Sequence, residues 1–246
     1  MDLNFLRISY PAEFDDIKFP ENLRVWVCAP HPDDFDAVAV TLQKFQEKGA
    51  EIFLSVMSSG ASGVEDSYCD PPTKENKEQT REEEQLESCR VFGLPEENIK
   101  FLHLVTGEDG QIADLEENYH PVKAVFDELE PDVVILPHGK DTNFDHQLGW
   151  MYIQEMASSR KKPLIALYNR DPKTIDMRED IFTQFGDSAA KWKARLLLCH
   201  QSQHMRNLSE RNIGFAERIL QVNEEIAERA SMEEPFAEAF ELKIFT

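Results

Sequence analysis

Short aliphatic or β-branched runs recur along the chain, at residues 23–29, 52–57, 99–104, 133–137 and 164–168, with long amphipathic or polar stretches between them. Nothing else in the sequence restricts the fold as strongly. Runs that are apolar throughout suit parallel strands covered on both faces, because a strand with one wet face would alternate with period two. Residues 36–48 end at Gly49 and residues 73–92 end at Gly93, each glycine standing where a helix C-terminus favours positive φ. Residues 120–130 stop before Pro131, and residues 188–199 and 207–229 read as further helices. Strands alternating with helices predict an α/β fold, Rossmann-like and doubly wound: a mainly parallel sheet with helices on both faces and the active site at its carboxyl edge. With 41% hydrophobic residues in 246 positions and no linker or repeat, one domain spanning 1–246 is expected.

Charge narrows the partners. The chain has 47 Asp plus Glu against 26 Lys plus Arg, a formal net charge of −21, and no Lys/Arg-rich run. Such a chain repels phosphate backbones and anionic leaflets, so nucleic acid and membrane surfaces are not expected partners. No apolar run approaches the roughly 18 residues of a spanning helix. The opening residues lack a basic and then apolar signal pattern, so a cytoplasmic protein is expected. Cys28, Cys69, Cys89 and Cys199 form no CxxC pair, which argues for reduced thiols and against a thiolate zinc site.

Two polar constellations fall at strand ends. His31-Pro32-Asp33-Asp34 follows the first run directly, the address at which ligands bind in such folds. Imidazole with carboxylate is a zinc-type donor set, although Asp33 or Asp34 equally suits a helix N-cap. His138-Gly-Lys-Asp141-Thr-Asn143-Phe-Asp145-His146 follows the 133–137 run, and there Asn143 or Asp145 equally suits a cap. Together the loops supply His31, Asp34 and His146, and three protein ligands plus water is the composition of a catalytic zinc site. Residues 58–73 and 107–119 form two long irregular loops, the length at which loops are usually functional.

The H-P-D-D element, the later D-x-N-x-D-H element and His200-Gln-Ser-Gln203 resemble the zinc-dependent N-acetylglucosaminyl deacetylases of the PIG-L/LmbE family. Ser58-Ser-Gly60-Ala-Ser-Gly63 is similar to that family's T-x-G-x-x-G loop, and Arg81-Glu-Glu-Glu84 to its R-E-x-E helix. The resemblance implies that His31, Asp34 and His146 hold Zn2+ or another divalent transition metal and that Asp33 is the general base. It agrees with the chemistry, since amide hydrolysis needs a polarised carbonyl and an activated water. Asp145 is suited to orienting a neighbouring ring. Phe35 stands where the family usually has Glu, Ala37-Val-Ala-Val40 replaces a glycine-rich stretch, and Asn143 replaces a frequent His. An Asn amide donates to an oxyanion but carries no proton. His138 and His200 are candidate substitutes and, with Arg81, candidate substrate contacts; Arg81 equally suits an ion pair among its glutamates.

The resulting expectation is a hydrolase removing an N-acetyl or similar small acyl group from a small-molecule amino sugar or sugar conjugate. The departures at Phe35 and Asn143 support an alternative, a binding protein that retains the metal pocket with weak or no turnover. The acidic composition suggests a neutral or cationic conjugate. His103 is expected on an inner strand position. Trp150, Tyr152 and the apolar segment 236–245 are candidate contacts for a homo-oligomer.

Overall fold

Seven helices and eight strands are found in the computed structural model, which describes residues 3–246. In chain order the strands are β1 (Ala12–Glu13), β2 (Arg24–Ala29), β3 (Glu51–Val56), β4 (Ile99–Phe101), β5 (Val133–Pro137), β6 (Leu164–Asn169), β7 (Ile181–Phe185) and β8 (Phe236–Phe245). The helices are α1 (Ala39–Glu47), α2 (Lys74–Phe92), α3 (Glu116–Leu129), α4 (Phe144–Ser158), α5 (Asp187–Leu197), α6 (Gln201–Arg211) and α7 (Phe215–Ala230). They build one sheet of order β1-β7-β8-β6-β5-β2-β3-β4, parallel except where β8 runs antiparallel between β6 and β7. The five strands expected from the apolar runs are β2 to β6, and the α/β Rossmann-like fold is the one observed.

Both faces of the sheet are covered, as continuous apolar strands require. On β2, Val25, Val27 and Ala29 pack into one cluster with Leu42 and Phe45 of α1. Trp26 and Cys28 point the other way, against Phe126 of α3 and Leu148 of α4. Strand β2 pairs with β3 on one side (Arg24↔Glu51) and with β5 on the other (Val25↔Val133). The chain therefore reverses its direction of winding between β2 and β5. Their carboxyl ends diverge there, opening the crevice in which doubly wound folds bind ligands.

The structure corrects several expectations. The segment 236–245 is an interior strand, paired with β6 over 240–245 and with β7 over 236–240, and only its end, at Lys243 and Ile244, is exposed. Tyr152 is buried, and Trp150 lies so close to Gly139 that a Cβ there would stand 2.4 Å from the indole. These residues are committed within the fold. The helix expected over 207–229 is two helices, α6 and α7, broken where Asn212 adopts φ of 56°. The strand expected at 99–104 stops at Phe101, so His103 is exposed and pairs with Glu82. Phe35 is fully buried and packs edge-on to Phe92 at 5.0 Å, so the residue replacing the family Glu serves the core. No helix among the described residues is long and apolar enough to cross a membrane.

Candidate metal centre

The turn after β2 is held tightly. The His31 amide donates to the Asp34 carboxylate at 2.8 Å, and the Asp33 amide donates to Gln85 Oε1 of α2 at 2.9 Å. Asp33 itself has φ of 99°, a region that a side chain rarely enters and that surrounding bonds must enforce. After β5, Asn143 caps α4 by accepting the Asp145 amide at 3.0 Å, and the Asp141 side chain accepts the Asn143 amide at 2.7 Å. These two turns aim His31, Asp34 and His146 at one point.

His31 Nδ1 lies 3.6 Å from one Asp34 oxygen, and His146 Nε2 lies 3.6 Å from the other. The donor atoms of the three residues all fall within 4.8 Å of one another. Two donors at zinc-bond length in a tetrahedron stand about 3.3 Å apart, so the set fits a divalent cation with little movement. The far sides of both rings meet carboxylates. His31 Nε2 bonds Asp145 at 2.7 Å, and His146 Nδ1 faces Asp141 at 3.2 Å. His31 thus has one nitrogen hydrogen-bonded to a carboxylate and His146 has one facing a carboxylate, while the other nitrogen of each ring is directed at Asp34, the carboxylate–histidine arrangement common at metal sites.

Charge follows from this packing. Burial pushes Asp34 up, but the flanking His146 and His31 override it and hold its carboxyl at about 2. Burial depresses His31, yet hydrogen bonds to Asp145 and Asp34 raise it to about 9. His146 is also raised, burial being outweighed by Asp34 and Asp141. In the metal-free protein, the raised His31 therefore favours a proton beside Asp34, where a cation would otherwise neutralise that carboxylate.

A cleft of about 450 Å3 opens over these residues. Asp33 lines it, its carboxylate bonded by Arg81 Nη2 at 3.0 Å. Arg81 is buried and also bonds the Pro32 carbonyl and approaches Glu84 at 3.9 Å, so it ties the H-P-D-D turn to α2. Asn143 reaches the cleft with its amide nitrogen free of partners among the described residues. Asp145 does more than orient a ring, since its second oxygen accepts the Ile112 amide at 2.7 Å and so secures the 107–119 loop.

Two candidates do not reach the cleft. His138 is buried between the Lys140 amide, at 2.9 Å, and Glu241, at 3.3 Å. His200 is fully buried and bonds Asp36 at 2.6 Å. The His200-Gln-Ser-Gln203 element is a seam: Ser202 donates backbone and hydroxyl to Glu84 of α2, while Gln203 donates to the Gly63 carbonyl. Neither His138 nor His200 lines the cleft, and each ring is enclosed by the partners that hold it. Cys28 and Cys89 are likewise buried with raised thiols, and have no nucleophilic character.

Sequence reasoning missed Asp171, which lines the cleft and whose carboxyl approaches Asp141 and His146. Burial, reinforced by Asp141 and Asp34, raises it to about 6 against the pull of His146. Its signal was available, because it lies two residues beyond β6 at the same carboxyl edge as the other turns.

Fold and site together define a doubly wound α/β protein with a His, Asp, His cluster at its switch point. The profile of the PIG-L family, described as GlcNAc-PI de-N-acetylase, matches residues 26–153, and the chain belongs to that family. No curated protein sequence matches it. Among solved structures it resembles an N,N'-diacetylchitobiose deacetylase from Pyrococcus horikoshii (16% identity, 89% of this chain and 83% of that one, TM-score 0.73). It also resembles a 4-carboxy-2-hydroxymuconate hydratase from Pseudomonas putida KT2440 (17% identity, 89% and 96%, TM-score 0.68). A third is the zinc-inhibited form of the teicoplanin deacetylase Orf2 (11% identity, 90% and 97%, TM-score 0.66). Deacetylases and a hydratase share this fold, so the reaction has to be argued from the site.

Proposed function

We propose that the protein is a zinc-dependent N-deacetylase that hydrolyses the acetamide, or a similar small acylamide, of an amino sugar or sugar conjugate. The observation that carries this reading is the cluster of His31, Asp34 and His146 at the switch point, with Asp33 beside it in the same cleft and not among its donors. Family membership and the deacetylases among the structural relatives support it. A bound dication supplies Lewis acidity toward the acyl oxygen and acidifies its water.

The chain's own groups do the rest. Asp33 accepts the proton of the attacking water and returns it to the departing nitrogen, converting a poor amide leaving group into an amine. Arg81 holds that carboxylate in place, at 3.0 Å. The Asn143 amide N–H donates to the oxygen on which negative charge develops, the hydrogen-bonding half of the role a histidine plays in much of the family. Because Asn143 holds no transferable proton, Asp33 handles every proton transfer alone.

The Asp33→Asn variant tests this allocation. It keeps the Arg81 contact and all three ligands, so metal content is expected to stay at one per chain while acetate release falls by about 10²–10⁴-fold. Turnover within a few-fold of the parent would remove Asp33 from the base role.

A further inference from the structure

Acidic residues outnumber basic ones 47 to 26 in the chain, yet the cleft departs from that ratio. Its lining contains five aspartates and five cationic side chains, Arg81, Lys173, Arg206, Arg211 and Arg218. The aspartates include those committed to the metal centre. Three of the cations, Arg206, Arg211 and Arg218, stand together on the wall formed by α6 and α7, and Lys173 lines the same cleft from the turn after β6.

Their partners leave much of that charge unanswered. Arg206 and Arg211 share one exposed carboxylate, Glu210, at 2.8 and 2.6 Å. Arg218 donates only a long 3.5 Å bond to the side-chain Oδ1 of Asn207 and has no carboxylate within ion-pair distance among the described residues. Lys173 likewise has no ion-pair partner among them. Burial lowers the pKa of Arg218; Asp171 and Asp33 across the cleft favour its charge, and Arg211 and Arg206 oppose it. The buried side chains of Phe215 and Ile219 also line this wall, and low-dielectric backing strengthens any charge contact made there. Like charges gathered at a cleft wall disfavour one another, and with Arg218 and Lys173 lacking a carboxylate at ion-pair distance and Glu210 shared between two arginines, the wall favours an external anion.

We propose that this wall is an oxyanion subsite: the ligand whose acylamide meets the metal centre carries, on its remaining part, a carboxylate or phosphate group held by Arg218, Arg211, Arg206 and Lys173. Guanidinium groups suit either group, since both present paired oxygens to a planar donor fork. The assignment reverses the expectation of a neutral or cationic conjugate drawn from net charge, because the excess acid lies elsewhere on the surface. It rests on the deacetylase reading only for which end of the ligand faces the metal.

Three probes sharing N-acetylglucosamine test it: the methyl glycoside, the carboxymethyl glycoside and the 1-phosphate. Calorimetric binding to the metal-loaded protein is expected to favour one or both anionic probes by about tenfold or more over the methyl glycoside. Which anion gains the more distinguishes a carboxylate from a phosphate ligand. The advantage should shrink in about 0.5 M salt and collapse in Arg218→Gln and, independently, in the exposed-site variant Arg211→Gln. It should persist in Arg90→Gln, on the far exposed face of α2. Equal binding of all three probes, or an advantage untouched by both variants, overturns the subsite. Acetate release is read in parallel. Turnover without anion preference refutes the subsite and leaves the deacetylase standing, whereas anion preference without turnover does the reverse.

Discussion

Asp145 is acceptor to two donors at once, and replacing it with asparagine puts the logic of the centre to a demanding test. One carboxylate oxygen takes the His31 Nε2 proton at 2.7 Å and the other takes the Ile112 amide at 2.7 Å. Asparagine offers one acceptor and one donor in nearly the same volume. Whichever way its amide turns, an NH2 group confronts either Ile112 N–H or His31 Nε2. In the first orientation a buried backbone donor loses its acceptor, at a cost of about 1–3 kcal/mol. In the second, the imidazole escapes the clash by moving its proton to Nδ1, the nitrogen that faces Asp34. Both routes impair the centre, since the second blocks a ligand atom and the first loosens the loop beside it. Metal affinity is expected to fall about 10–100-fold. The metal-free protein should lose roughly 2–12 °C of unfolding midpoint, at about 2–4 °C per kcal/mol for a chain of this size. Chelator competition gives the affinity, calorimetry the midpoint, and imidazole nitrogen shifts report the tautomer. Affinity within twofold of the parent together with an unchanged His31 tautomer would refute the argument that Asp145 organises the ligand set.

Other expectations follow from buried charge. Glu238 accepts Val40 N, Thr41 N and the Lys193 ammonium, the last at 2.7 Å, and both charged side chains are essentially inaccessible. Glu238→Ala leaves Lys193 without its counter-ion and should destabilise by about 3–5 kcal/mol in denaturant unfolding; a loss below 1 kcal/mol would contradict the pairing. His31 is lifted from 6.5 to about 9 against the effect of burial, by Asp145 and Asp34, so its proton stabilises the metal-free fold. That contribution is complete below about pH 6.5 and is lost as pH rises through 9. Chelator-treated protein should therefore become less stable over that window, while added zinc, which takes the proton's place, should stabilise it increasingly. Parallel pH profiles with and without zinc would count against this account.

The part of the fold that positions the centre was readable because its signals are local. Strands β2 to β6 are apolar runs bounded by Gly, Pro and polar turns, and both polar loops of the centre directly follow such runs. Strands β1, β7 and β8 were not readable. Strand β1 has two residues, and β8 contains Glu238, Glu241 and Lys243, whose presence in a strand is explained only by partners distant in sequence. His31, Asp34 and His146 converge as the two loops suggested. The misplacement of His138 and His200 has a common origin: a histidine near a candidate site reads the same whether it faces substrate or a buried carboxylate such as Asp36. The cationic wall was hidden for another reason. Lys173, Arg206, Arg211 and Arg218 are scattered over three elements and meet only when α6 and α7 fold back across the carboxyl edge, so net charge pointed the opposite way.

Metal-dependent deacylation is tested most directly by returning the metal to stripped protein. Chelator-stripped protein titrated with zinc, with acetate release from an N-acetylglucosamine conjugate followed at each addition, should gain activity until one equivalent is bound per chain. The Asp34→Ala variant, which lacks the residue both histidines face, should bind no equivalent and release no acetate. Full activity in the stripped protein, or activity retained by Asp34→Ala, would contradict it.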